Sequence, residues 1–191
     1  MVEVKRRTRE TEVRVELRLD GGEVDVETGM PFLNHLVETL AKYAGLGLKL
    51  TARQLKEVDD HHIAEDAALT LGEALKRTLS ERGAVKRFGY AIVPMDDSLA
   101  LAAVDVGGRP YAVFEAAFTR SEIGGLALEN VKHFIESLAY SAGFTMHVKL
   151  LHGFNNHHKA EAIFKALGLA LRQALQAEGE VLSLKGEVEW R

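Results

Sequence analysis

The chain has 191 residues, 47% of them apolar and 27% charged, with a net charge of −4 at pH 7, which fits one ordinary domain or two small, closely packed halves. The acidic balance gives no reason to expect nucleic acid, and with no membrane-length apolar run and no basic-then-apolar leader a cytoplasmic protein without membrane partners is expected. Cysteine is absent, so disulfides and thiolate ligands are excluded and any metal must be held by imidazole and carboxylate.

In chain order, Val13, Val15, Leu17 and Leu19 alternate with polar residues, Asp20-Gly21-Gly22 intervenes, and Val24 and Val26 alternate again. That pattern predicts strand, tight turn and strand, paired as a hairpin. A helix is predicted from about Pro31 to Tyr43 and a short strand over Leu46–Thr51. A longer helix then opens at His61, behind Asp59-Asp60, which are good N-cap residues. Beyond Gly83 the design returns: strand Ser98 to Val106, Gly107-Gly108, strand Arg109 to Phe118, helix Leu128 to Ser141, strand Phe144 to Leu150, and a helix behind Asn155-Asn156. Each half is β-β-α-β-α with room for one further strand. The expected architecture is an internally duplicated, layered fold, α/β or α+β, with helices on one face of each sheet. The first repeat spans residues 1–83, the second 84–177, and 178–191 form a tail.

The chemistry lies in the part that is repeated most faithfully. His61-His62-Ile63-Ala64-Glu65 recurs as His157-His158-Lys159-Ala160-Glu161. Upstream of each stands another histidine in matched surroundings, HLVETLAKYAG from His35 and HFIESLAYSAG from His133. Copying of an ordinary helix does not explain why six histidines and two glutamates stay in register while most neighbours diverge.

At a helix start, residues four apart differ by only about 40° around the axis and adjacent ones by about 100°. His61 and Glu65 can therefore reach one ion, as can His157 and Glu161, while His62 and His158 point toward a second. The pseudo-symmetry then predicts two matched sets: His35, His62, His157 and Glu161, and His133, His158, His61 and Glu65. Three imidazoles and a carboxylate suit manganese, iron, cobalt, nickel or zinc. Lys165 continues the stripe of His157 and Glu161, and Arg87 and Arg109 offer forked donors for a substrate anion.

The segments GMPFLNHLVETLA, DDHHIAEDAALTLGEAL, PMDDSLALAAVDVGGRPY and GFNNHHKAEAIFKALGLALRQAL resemble the imidazoleglycerol-phosphate dehydratases of histidine biosynthesis, over nearly the whole chain. The resemblance implies a two-layer α+β fold, a duplicated ribosomal-protein-S5-domain-2-like unit, and a hydro-lyase that converts imidazole glycerol phosphate to imidazole acetol phosphate. It also implies two divalent ions per active site, usually Mn2+, and trimers assembled into a 24-mer shell with active sites between subunits. By the same resemblance Glu10 contacts substrate, and Glu10, Glu65 and Glu161 are the catalytic carboxylates. Proton transfer is left open between Glu10 and Glu161. Arg87, Arg109, Lys165, Ser183 and Lys185 match phosphate-binding positions. Asn34 stands where the family usually has aspartate, Thr39 where it has glutamine, and LSLKG where it has PSTKG.

Overall fold

Period-two burial builds both sheets of the computed structural model, which describes residues 1–179. In the first half, β1 (Val2–Arg7), β2 (Thr11–Arg18), β3 (Gly21–Glu27), α1 (Pro31–Ala44), β4 (Leu46–Gln54) and α2 (Asp60–Arg82) follow one another. The second half continues with β5 (Phe88–Met95), β6 (Ser98–Asp105), β7 (Tyr111–Glu115), a small ribbon of β8 (Glu122–Ile123) and β9 (Leu126–Ala127), α3 (Glu129–Ala142), β10 (Thr145–His152) and α4 (Asn156–Ala174). The sheet orders are β1-β2-β4-β3 and β5-β6-β10-β7, the same topology twice. Val13, Val15 and Leu17 of β2, and Ala100, Ala102 and Val104 of β6, turn inward onto the helices. The leading strand for which the pattern left room exists in both halves, as β1 and β5.

The expected glycine hairpins do not form. β3 pairs parallel with β4, on the far side of it from β2, and β7 does the same with β10. Gly21 and Gly22, both at positive φ, carry the chain across the start of β4 instead. A Cβ on Gly47 would lie 2.6 Å from the Gly21 carbonyl oxygen, so the crossing needs bare backbone on both sides. The true hairpins join β1 to β2 through Thr8–Glu10, and β5 to β6 through Asp96-Asp97. Both place a carboxylate at the tip.

Each sheet is covered by its own two helices, and the halves meet helix to helix, α1 on α4 and α2 on α3. The approach is close at two corresponding positions. A Cβ on Gly72 would lie 2.7 Å from Ser141 Cβ, and one on Gly168 would lie 2.8 Å from the Leu40 carbonyl oxygen. Ser141 Oγ donates to the Leu69 carbonyl across the same contact at 2.6 Å. Phe134 and Phe164, both fully buried, meet at 5.7 Å between ring centroids. Phe164→Ala is expected to lower unfolding free energy by about 3–5 kcal/mol. Denaturant titration checks this, and a loss below about 1 kcal/mol would mean that the site collapses around the cavity. Among the described residues no helix is long and apolar enough to cross a membrane.

Candidate metal and active site

The starts of α2 and α4 carry the histidine pairs, and each is fixed by its N-cap. The Asp59 carboxylate accepts from His61 N at 3.1 Å. Asn155 accepts from His157 N at 2.9 Å and from His158 N at 3.4 Å.

The fold gathers six of the eight expected ligands into two triads, His35 with His157 and Glu161, and His61 with Glu65 and His133. In each triad the donor atoms lie within 4.8 Å of one another. His35 Nε2 and His157 Nε2 stand 3.5 and 3.2 Å from Glu161 Oε2, and His133 Nε2 stands 3.3 Å from Glu65 Oε1. His61 and His133 stack at 4.3 Å between centroids, and His35 and His157 tilt together at 5.3 Å. The Nε2 atoms of His35 and His133 and the Nδ1 atom of His62 are buried without a hydrogen bond. Unpaired buried ring nitrogens converging on a carboxylate suit a divalent cation.

His62 and His158 do not join the triads within one chain. His62 Nδ1 faces Glu10 Oε2 at 3.5 Å and Asp59 Oδ1 at 4.0 Å. His158 donates from Nδ1 to Asp97 Oδ1 at 2.5 Å, and its Nε2 lies 3.5 Å from Asp96 Oδ2. The neighbours in each pair therefore diverge, and among the described residues each cluster holds three candidate ligands.

Glu10 reaches His62 because its turn is clamped. Thr8 Oγ1 accepts from Glu10 N and Thr11 N at 3.0 Å, and the Glu10 carbonyl accepts from Leu55 N at 2.7 Å. Buried Asp66 holds the turn onto α2, taking Arg6 Nε at 2.7 Å and the Thr11 hydroxyl. Asn34, on α1 beside His35, accepts from Thr28 N and Thr28 Oγ1 at 2.9 and 2.6 Å.

The expected cations fall in two places. Lys165 Nζ pairs with Glu161 Oε1 at 2.9 Å, beside the first triad. Burial alone would push the Glu161 carboxyl up, but Lys165 and His35 more than offset it and hold it below the usual range. Arg87 forks onto Asp105 at 2.8 and 3.1 Å and lies against Gly107, in the turn that also bears exposed Arg109. Its backbone N–H donates to the Ala174 carbonyl, at the opposite end of α4 from His157, about 25 Å away at the rise of a helix. Within one chain Arg87 thus stands far from the triad of His157 and Glu161. Ser183 and Lys185 lie outside the described residues. Thr39 is buried in α1.

Three contributors escape a sequence reading: Asp97, Asn130 and Asp66. Asp97 Oδ2 accepts from Phe154 N and Asn155 N at 2.5 and 2.9 Å, and with the His158 contact, the largest influence, this drives its carboxyl far below the usual range. Asn130, on α3 one turn before His133, meets His61 Nδ1 at 3.1 Å. Its spacing from His133 is the one signal the sequence carries.

The sequence profile of the imidazoleglycerol-phosphate dehydratase family matches residues 28–171. The imidazoleglycerol-phosphate dehydratase of Caldivirga maquilingensis is 54% identical over 184 residues, 96% of either chain. That of Methanothermobacter thermautotrophicus is 50% identical over 185 residues, 96% of this chain and 95% of its own. The crystal structure of IGPD from Pyrococcus furiosus superposes with a TM-score of 0.85 at 38% identity, covering 97% of this chain and 100% of that one. The enzyme from Staphylococcus aureus gives 0.82 at 32% identity, covering 92% and 98%. The duplicated sheet-and-helix unit is the ribosomal-protein-S5-domain-2-like fold of these structures.

Proposed function

The chain belongs to the imidazoleglycerol-phosphate dehydratase family, and on that premise we propose how its own residues carry out the reaction. It is a hydro-lyase of histidine biosynthesis that removes water from D-erythro-imidazole glycerol phosphate to give imidazole acetol phosphate. The observation that carries the proposal is the pair of triads with unpaired buried ring nitrogens.

Each active site holds two divalent ions, Mn2+ by preference. His35, His62, His157 and Glu161 form one set, and His61, Glu65, His133 and His158 form the other. His62 and His158 come from neighbouring copies, since in one chain they turn away from the triads. Such ions, when bound, act as Lewis acids toward the substrate's imidazole ring.

The proton to be lost sits on a carbon without an adjacent carbonyl, so its removal needs an ionised, positioned carboxylate. Glu161 suits this role because Lys165 keeps it charged. Glu10, at the tip of a clamped turn, is the second candidate, and Glu65 is the counterpart of Glu161 in the other set. Lys165, Arg87, Arg109, Ser183 and Lys185 bind the phosphate, remote from the reacting carbon, and that binding energy orients it. The separation of Arg87 from His157 within one chain favours a site built between copies. Trimers joined into a 24-mer supply such copies, and the small-molecule pathway suits the cytoplasm. The two repeats take residues 1–83 and 84–177, and 178–191 form the phosphate-binding tail.

The assembled protein with Mn2+ is expected to turn over imidazole glycerol phosphate and to leave p-nitrophenyl phosphate intact. In the same assay Arg109→Ala should raise KM about 10- to 100-fold, the worth of a charge-assisted hydrogen bond, with a smaller change in kcat. Hydrolysis of the ester without dehydration would overturn the reading, and an unchanged KM would remove Arg109 from the phosphate site.

A further inference from the structure

The two metal sets are copies in sequence but not in surroundings, and three differences point the same way. The first concerns His61. The Asp60 carboxylate can only accept, and it takes Ala127 N at 2.6 Å and Asn130 Nδ2 at 2.8 Å. Asn130 therefore presents its oxygen to His61 Nδ1, which must donate, and His61 Nε2 is left bare for a metal. Asn130 is 3% exposed, so the arrangement is packed in place. At the corresponding position of α1, three residues before His35, stands Phe32, whose ring tilts against His157 at 5.0 Å and offers no acceptor.

The second difference lies at the two hairpin tips. Asp97 accepts from His158 Nδ1 and is itself anchored by two backbone N–H groups, so the ring of His158 is fixed, with Nε2 making no hydrogen bond and lying 3.5 Å from Asp96 Oδ2. In the first half Glu10 stands 3.5 Å from His62 Nδ1 without a hydrogen bond. Among the described residues no ring nitrogen of His35 or His62 is hydrogen-bonded.

The third is charge. One turn beyond Glu161 is Lys165, with its ammonium 2.9 Å from Oε1, whereas one turn beyond Glu65 is Leu69. Glu161 is the more buried carboxylate, which strengthens its pull on a cation, but the ammonium neutralises that pull and repels a second positive charge. Glu65 has no ammonium at that position to compete with the ion.

We infer that the two metal sites are unequal: the set His61, Glu65, His133 and His158 is pre-oriented and fills first, and the set His35, His62, His157 and Glu161 binds the more weakly held ion. Orienting partners on ligating histidines are each worth about 10- to 100-fold in metal affinity, so a gap of at least about tenfold separates the two steps. The inference rests on the metal-centre reading and assigns the exchangeable ion to the set that contains Glu161.

Metal-free protein is titrated with Mn2+ while the free ion is followed by its magnetic resonance signal. Crystals grown at one equivalent per chain then locate the ion by anomalous scattering. Two binding steps are expected, with the first ion beside His61, Glu65 and His133. Asn130→Leu and Asp97→Asn should weaken the first step about 10- to 100-fold, and Lys165→Met should tighten the second. Equal occupancy in wild-type crystals, or first filling beside Glu161, overturns the inference whatever the variants do. If the wild type takes up no Mn2+ at all, the metal-centre reading itself falls with it.

Discussion

Glu161→Gln is expected to cut kcat by about 10²- to 10⁴-fold while the far-ultraviolet dichroism of the protein changes little. The carboxylate serves three neighbours at once, with one oxygen on Lys165 and the other before His35 and His157. Glutamine keeps the shape but cannot take a proton, and it has one acceptor where two are needed. Its amide N–H groups must face either an ammonium or the ring nitrogens that should ligate. The loss should therefore appear in kcat and kcat/KM together, as for an interaction made in the transition state. Near-wild-type turnover would remove Glu161 from the chemistry and leave Glu10 as the base.

Chelation of divalent metal is the second large effect. Stripping with EDTA should reduce dehydration to background, and sedimentation should show the assembly falling into smaller species. Both are restored by Mn2+ alone. The physical reason is that, among the described residues, each triad holds a buried imidazole nitrogen without a hydrogen bond, and on the proposed reading the fourth ligand comes from another copy. An ion bridging two chains binds the assembled state and not the separated one, so it shifts the association equilibrium by mass action. Metal-free protein that keeps its size and activity would leave the triads without a purpose.

How much of this was legible beforehand depends on the range of the interaction. The helices, their N-caps at Asp59 and Asn155, and the i, i+4 partnership of His157 with Glu161 are local, and periodicity exposes them. So is the divergence of His61 from His62. The sheet pairing is not local. Gly21-Gly22 after an alternating strand is the same signal whether the chain folds back or crosses to the other side of a neighbour, and only the partner Gly47 decides. Asn130 and Asp97 were equally hidden, because their roles depend on contacts between halves or between a turn and a distant helix. Asp66 gave no sign, since a buried carboxylate on a helix has the same spelling as an exposed one.

The way the helices pair has a further consequence. His35 comes from α1 and His157 with Glu161 from α4, while His61 and Glu65 come from α2 and His133 from α3. Neither half, alone, owns a whole triad. A half-length precursor could have assembled such a triad only by pairing with a twin, and the twofold axis of that pair would have made its two ion sites identical by necessity. Joining the twins end to end removed that constraint. From then on phenylalanine could stand opposite asparagine, and lysine opposite leucine, without any change being imposed on the other site.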